Sequence, residues 1–316
     1  MTVEAIVVTY NSRAHVAECL EPLVQACVAT WVVDNASADD TVGIVTDRFP
    51  EVRLLANHDN RGFAQAVNQA LERTSADVVL LVNPDCVLVP EAVASLAAHL
   101  AENPEVGVVA PRLRDSAGRI ALSTHPFENL ASVVGSRFGA AVLPARLRRF
   151  LIRGRRRDGY EACRSGDGPV SVDWVSGACL AVRASMLRRL GGLDAGYFMF
   201  YEDEELCLQA WRAGATVVYL PSVEVLHSGG GSSSDPASVW PHLYRSLLRF
   251  QARHRPRTYG LVRAAILVRA LLGVGLGAPR DALALARGRP GRRSLAWGRV
   301  AGIALRGKRT SFAGAS

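Results

Sequence analysis

The first quarter of the chain repeats one pattern, and that pattern narrows the fold sharply. Short β-branched runs, EAIVVTY (residues 4–10), TWVVDN (30–35), VRLLAN (52–57) and DVVLLVN (77–83), alternate with stretches of helical periodicity such as SRAHVAECLEPLVQAC (12–27) and GFAQAVNQALERT (62–74). Runs that are apolar at nearly every position are strands buried on both faces. Separated by helices, such strands form a mostly parallel α/β sheet of right-handed βαβ units. Sheets of this class bind ligands beyond the carboxyl ends of their strands. There the sequence places Thr9, Tyr10 and Asn11, then Asp34 and Asn35, then residues 57–62 with Asn60 and Gly62, then Asn83, Pro84 and Asp85. Each alone is an ordinary turn residue. Four successive strand ends carrying hydrogen-bonding or metal-binding side chains point instead to a ligand crevice. A nucleotide suits it, yet there is no Walker A sequence, and the one GxGxxA match (273–278) lies far from the first strand, where a dinucleotide fingerprint must sit. A metal ion, not a glycine loop, is therefore expected to handle the diphosphate.

At 316 residues and 49% hydrophobic content the chain can bury a large core and is globular. Its six cysteines show neither CxxC pairing nor zinc-type spacing, as expected of small buried residues in a reducing compartment. The opening MTVEAIVVTYNS has no basic leader, so a cytoplasmic body is expected. Charge is distributed unevenly. From Trp240 onward sixteen Lys or Arg face one acid, Asp281, whereas the preceding residues hold 21 Lys or Arg against 28 Asp or Glu. The basic tail is also apolar, as in YGLVRAAILVRALLGVGLGAP (259–279), but its longest uncharged run, 270–279, falls short of the roughly 20 residues a bilayer span requires. A helix lying on an anionic membrane surface, at the inner face of the cell membrane, is the expectation. Nucleic acid would also attract such a tail, but no nucleic-acid-binding module accompanies it, and no nucleic-acid partner is expected.

Seven motifs in order, IVVTYNS, VVDNASADDT, NRGFAQAVNQAL, LLVNPDC, VSGACLAVR, FMFYEDEELCLQAWRAG and VLHSGGGSS, resemble the family 2 glycosyltransferases of GT-A fold, most closely their bacterial rhamnosyltransferase-like members, over about residues 3–235. The resemblance implies a GT-A nucleotide-sugar-binding domain over 1–235, followed by a basic, apolar helical region over 236–316. It implies inverting transfer of a sugar from a nucleotide-sugar donor, with dTDP-rhamnose the best match. The acceptor would be a hydroxyl of a glycan or polyprenyl-diphosphate-linked glycan in cell-envelope polysaccharide synthesis. Thr9, Tyr10, Asn11 and Asp34 would hold base and ribose, with Asn60, Gly62 and Asn68 near the rest of the nucleotide. Many relatives carry Asp-x-Asp where this chain reads Asn83-Pro84-Asp85. Asp85 remains a hard ligand for Mg²⁺ or Mn²⁺, Asn83 offers a neutral oxygen, and His227 resembles an additional metal-side ligand. Trp174, Ser176 and Gly177 would lie beside donor sugar and acceptor. The basic stretch ARLRRFLIRGRRR (145–157) would suit an anionic acceptor.

Four consecutive carboxylates, Glu202, Asp203, Glu204 and Glu205, follow the aromatic run YFMFY (197–201). Acids in a first helical turn complement the helix dipole whatever else they do. An inverting transferase also needs a carboxylate to take the acceptor's proton. By resemblance that base is Asp203, with Glu202 on the substrate and the aromatic run walling the acceptor pocket. Crowding raises carboxylate pKa values and a helix N-terminus lowers them, so the sequence leaves the direction open. A non-catalytic nucleotide-sugar-binding scaffold is the alternative.

Overall fold

The computed structural model describes residues 1–130, 132–133, 135, 166, 168–229, 235–286 and 292–307. The basic stretch 145–157 lies outside them. The chain forms two compact units, one of residues 1–127, 156–198 and 202–231, the other of 128–155, 199–201 and 232–316.

The first unit is built on strands β1 (Val3–Thr9), β2 (Ala29–Asp34), β3 (Arg53–Ala56), β4 (Val78–Val82), β5 (Cys86–Val87), β6 (Val106–Arg114), β7 (Thr124–His125), β8 (Val170–Ser171), β9 (Trp174–Val175), β10 (Cys179–Arg183) and β11 (Thr216–His227). Among the described residues the main sheet runs β3-β2-β1-β4-β10-β6-β11-β5, with β8 also on β11, while β7 and β9 pair separately. Helices α1 (Val16–Gln25), α2 (Thr41–Arg48), α3 (Phe63–Leu71), α4 (Pro90–Glu102), α5 (Ala184–Arg189) and α6 (Glu202–Arg212) accompany it. The apolar periodicity explains their packing: α1 buries Val16, Cys19, Leu20 and Leu23, one stripe of its surface. β4 is buried at every position, as a strand covered on both faces must be.

β1 to β4 are mutually parallel where they pair, as the repeated unit requires. The register aligns Thr9 with Asp34, and Asp34 with Ala56, so three strands end in one row. β10 then enters antiparallel between β4 and β6, with Cys179 opposite Val82. Its first residues therefore lie at the carboxyl end of β4, and the backbone N–H of Asn83 donates to Ala178 O at 2.8 Å. At the far side β11 ends beside β5, with His227 opposite Cys86. One edge of the sheet thus collects the ends of β1, β2, β3, β4 and β11.

The second unit contains helices α7 (Pro236–His254), α8 (Pro256–Ala286) and α9 (Arg293–Arg306). Asp281 accepts from the backbone N–H of Arg293 and Ser294 at 3.1 and 2.7 Å, satisfying the start of α9. Arg263 donates to the carbonyls of Ala304 and Leu305 at 2.6 and 2.9 Å, satisfying its end. The Arg269 guanidinium lies 4.3 Å from the Trp297 ring centre, and a Cβ at Gly273 would meet that ring at 2.4 Å. Ser246 donates to Met199 O at 2.8 Å and Phe250 packs on Tyr201.

The tail departs here from its sequence reading. α8 is one helix of 31 residues running through Arg263, Arg269 and Pro279, and residues 256–283 are long and apolar enough to cross a membrane by length and composition. The uncharged run understated the apolar length because both arginines find partners on α9, so neither interrupts the helix.

Candidate functional site

The row of strand ends begins with Asp34, whose burial is nearly complete. It accepts from Thr9 Oγ1 at 2.8 Å, from the Ser37 backbone N–H at 2.8 Å and from Ser37 Oγ at 2.5 Å. Asn11, in the left-handed region at φ 52°, accepts from the Ala38 N–H at 2.8 Å, and its own N–H donates to Ser37 Oγ. Tyr10 between them stays 49% exposed, a ring free to stack. Ser37 was absent from the sequence-derived set. Its signal was local, a hydroxyl three residues after an Asp, which closes an Asx-type turn.

The next strand end supplies a second polar cluster. Asn57 exchanges amide hydrogen bonds with Gln69 and donates to Asn35 Oδ1 at 3.0 Å, while Asn35 donates to Gly62 O at 3.1 Å. Asn60 Oδ1 accepts from the Gly62 N–H at 2.9 Å. Gly62 has φ 79°, and a Cβ there would lie 2.4 Å from Phe198 O, which accepts from the Phe63 N–H at 2.9 Å. Glycine is therefore demanded by the close approach of the chain that leads to the acidic helix. Asn68, expected beside the nucleotide, bonds the backbone of Leu193 through both ends of its amide, at 2.8 Å each. That is a bracing role.

Beyond β4, Asp85 is buried and its Oδ1 lies 3.3 Å from His227 Nε2. Asp85, Cys86 and His227 bring potential ligand atoms within 4.8 Å of one another. Cys86 donates its S–H to Ala178 O at 3.3 Å, which occupies the thiol, and burial pushes its pKa well above the usual range. The donors left are one carboxylate and one imidazole, with Asn83 two residues before Asp85, its side chain half-buried. A carboxylate, an imidazole and an amide oxygen with room for phosphate and water fit Mg²⁺ or Mn²⁺, not a closed thiolate site.

α6 starts beside the first residues of β10. Asp203 Oδ2 accepts from the Gly177 N–H at 2.9 Å and Oδ1 from the Glu204 N–H at 2.8 Å. A Cβ at Gly177 would sit 3.2 Å from that of Asp203, so the absence of a side chain permits the approach. Ser176 donates its N–H to Ser123 O at 2.8 Å, and Trp174 stacks on His125 while its indole N–H bonds Pro126 O. The chain enters α6 through Phe200 and Tyr201, both left-handed at φ 67° and 70°, a geometry costing on the order of 1–3 kcal/mol per residue. Glu205 accepts from Tyr197 OH and Gln209 and serves packing.

The electrostatics of the adjacent pair differ from residue to residue. Burial raises the pKa of Asp203, while the N–H groups of Gly177 and Glu204 pull it back. Glu202 is pushed up to about 8, by burial first and by the Asp203 charge second. Its Oε2 is buried without a hydrogen-bond partner. The two amide donors favour charge on Asp203, while burial and that charge favour a proton on Glu202. The helix start therefore disfavours charging both members of the pair together.

The family described as glycosyl transferase family 2 matches residues 4–160. An N-acetylglucosaminyl-diphospho-decaprenol L-rhamnosyltransferase of Mycobacterium tuberculosis is 31% identical over 265 residues, 79% of this chain and 84% of that protein. Among solved structures, a mannosyltransferase from Pyrobaculum calidifontis in complex with GDP-Man and Mn²⁺ aligns with a TM-score of 0.53 at 19% identity, over 96% of this chain and 86% of its own. TarS residues 1–349 from S. aureus, in complex with UDP-GlcNAc, aligns with a TM-score of 0.51 at 15% identity, over 97% and 91%. At such identities these two likenesses bear on the fold alone, a mixed α/β sheet flanked by helices of the GT-A kind.

Proposed function

The chain belongs to glycosyl transferase family 2, and we propose that it moves rhamnose from dTDP-rhamnose, with inversion, to a hydroxyl of a polyprenyl-diphosphate-linked glycan in cell-envelope polysaccharide synthesis. The rhamnosyl group and the lipid-diphosphate-linked acceptor are supported by the name of the M. tuberculosis relative and the length of the match. The observation that carries the reading is the Gly177–Asp203 hydrogen bond, because it fixes a carboxylate at the same sheet edge as the Asp85–His227 pair.

In this reading the row of Thr9, Tyr10, Asn11 and Asp34 receives base and ribose, with Tyr10 stacking and the hydroxyls of Thr9 and Ser37 holding Asp34 in place. Asn60 and Gly62 shape the loop beside the diphosphate, and Asn68 braces it from behind. Asp85, His227 and Asn83 would hold Mg²⁺ or Mn²⁺. When bound, the ion neutralises charge on the departing diphosphate. Asp203 accepts the proton of the acceptor hydroxyl as that oxygen bonds the anomeric carbon, and the bond from that carbon to the diphosphate oxygen breaks on the opposite face. Glu202, still protonated, donates a hydrogen bond to substrate beside it. Trp174 and Ser176 flank the same edge. A scaffold that only binds nucleotide sugars has no need for a base, a metal pair and a neutral acid together.

The second unit supports peripheral attachment to the cytoplasmic face of a membrane. α8 buries Val262, Ile266 and Ala270, while Leu261, Val268, Leu271, Leu272, Leu276 and Leu283 stay more than half exposed. An apolar face flanked by arginines suits an anionic bilayer surface. The test of the proposed activity is a screen of nucleotide sugars for thermal stabilisation and metal-dependent hydrolysis by the full chain. Stabilisation by dTDP-rhamnose with Mg²⁺ or Mn²⁺ above other donors is expected. Preference for another nucleotide sugar would overturn the donor assignment, and no response to any would overturn the activity.

A further inference from the structure

A cavity of about 820 Å³ opens within the second unit, between α7 and α9 with Val274 of α8 at its floor. Three arginines line it, Arg245 from α7 and Arg299 and Arg306 from α9. Gly298 and Gly302, one turn apart on α9, leave its wall without side chains, and Leu295 and Ile303 supply apolar surface. Arg299 is anchored by a 2.9 Å hydrogen bond to Ala237 O. Arg245 and Arg306 are exposed, and no hydrogen bond or ion pair among the described residues holds either.

Among the described residues the charge in this cavity is compensated only in part, Asp235 acting electrostatically on Arg299 but on neither Arg245 nor Arg306. Of the carboxylates in the unit's described residues, Asp235 pairs with Arg292 at 2.5 Å, Asp281 binds the start of α9, and Glu128 accepts from Tyr201. None of the three lines the cavity. Three arginines lining a largely apolar cavity suit an occupant with both an anionic oxygen cluster and hydrocarbon. Guanidinium forks match phosphate oxygens bidentately, and an acyl chain would lie along Val274, Leu295 and Ile303. The neighbouring side chains favour lipid over nucleic acid: Leu295 and Leu305 are 51% and 61% exposed on α9, continuing the apolar face of α8. His242, also in the lining, has its pKa lowered by burial and by the Arg245 charge, which reports the same positive field.

We propose that this cavity is a binding site for the phosphate headgroup of an anionic membrane lipid, held by Arg245, Arg299 and Arg306. The inference deepens the peripheral-attachment reading by giving it a discrete site, and it is independent of which sugar is transferred.

The test uses the full chain and vesicles of phosphatidylcholine with or without phosphatidylglycerol. Arg245→Gln with Arg306→Gln removes two cavity charges; Arg257→Gln with Arg280→Gln removes two exposed charges from α8 outside the cavity. An ordinary surface arginine is worth about fivefold in partitioning onto an anionic membrane. The cavity pair should lose more than the roughly 25-fold expected of two such charges, and the α8 pair no more than that. Neither pair should alter binding to phosphatidylcholine alone. Equal losses from both pairs would show diffuse attraction and overturn the site, as would tighter binding of the parent protein to single-stranded nucleic acid than to the anionic vesicles. Donor-induced thermal stabilisation, measured on the same proteins, separates the two readings: its loss in the parent speaks against the transferase, whereas equal vesicle binding by all variants speaks against the lipid site alone.

Discussion

At the strand-end row Asp34 meets three donors, while at the start of α6 one oxygen of Glu202 is buried with none. Both carboxylates belong to one unit and both stand near the edge where substrates are proposed to bind. The first accepts three of the roughly four hydrogen bonds a carboxylate can take, so it holds a loop in shape and keeps room for a donor from a ligand. Burial first, and the Asp203 charge second, favour a proton on the second, while two amide donors favour charge on Asp203. The contrast teaches that binding and proton transfer are separated by the donors each carboxylate receives, not by residue type. It follows that substitutions in the two regions should fail in different ways.

The largest effect is expected at Asp203. Asp203→Asn keeps shape and removes the charge, so transfer should fall by about 10²- to 10⁴-fold, the usual contribution of a general base, with donor affinity within a few-fold of the parent. Steady-state turnover together with a donor-binding titration checks both halves. Near-normal turnover would exclude Asp203 as the base and erase the contrast.

Asp85→Ala should act on the other side of the comparison. Removing the carboxylate of the proposed metal pair should weaken donor binding in Mg²⁺ or Mn²⁺ by at least the 10- to 100-fold that outer-shell partners cost. A chelator should reproduce the loss in the parent protein. Activity indifferent to chelator would remove the metal from the account.

A smaller effect is expected at Gly62, which joins the two regions through the Phe198 carbonyl. Gly62→Ala introduces a Cβ at 2.4 Å from that oxygen and a side chain at φ 79°, so a loss on the order of 1–3 kcal/mol in stability is expected by thermal or urea unfolding. An unchanged midpoint would mean that the loop and the chain before α6 adjust freely.

Much of the strand-end row was legible in the sequence, because uniform apolar runs that stop at Thr9, Asp34 and Asn83 declare both the strand and its end. The Gly177–Asp203 contact was not, since it depends on β10 running antiparallel, and a run such as CLAVR shows burial without showing direction. Asn68 read as a ligand-side amide from its motif, yet its partner is Leu193, 125 residues away. The arginines of α8 read as breaks because their partners, the α9 carbonyls and Trp297, lie outside any local window. Glu202 and Asp203 were visible as acids, but the direction of their titration follows from burial and amide donors that only the folded chain supplies.

The central claim, a protonated Glu202 beside an ionised Asp203, is tested most directly by following carboxyl titrations with ¹³C NMR on protein labelled at Glu and Asp side chains, using Glu202→Gln for assignment. The signal lost in the variant should titrate near pH 8, far above the ordinary glutamate value of 4.5. Because the folded pKa of Glu202 is raised, the stability it contributes is full below about pH 4.5 and lost as pH rises through about 8, so the parent should soften over that window more than Glu202→Gln does. A Glu202 signal that titrates with the exposed carboxylates, and equal alkaline softening in both proteins, would contradict the division of roles between the two regions.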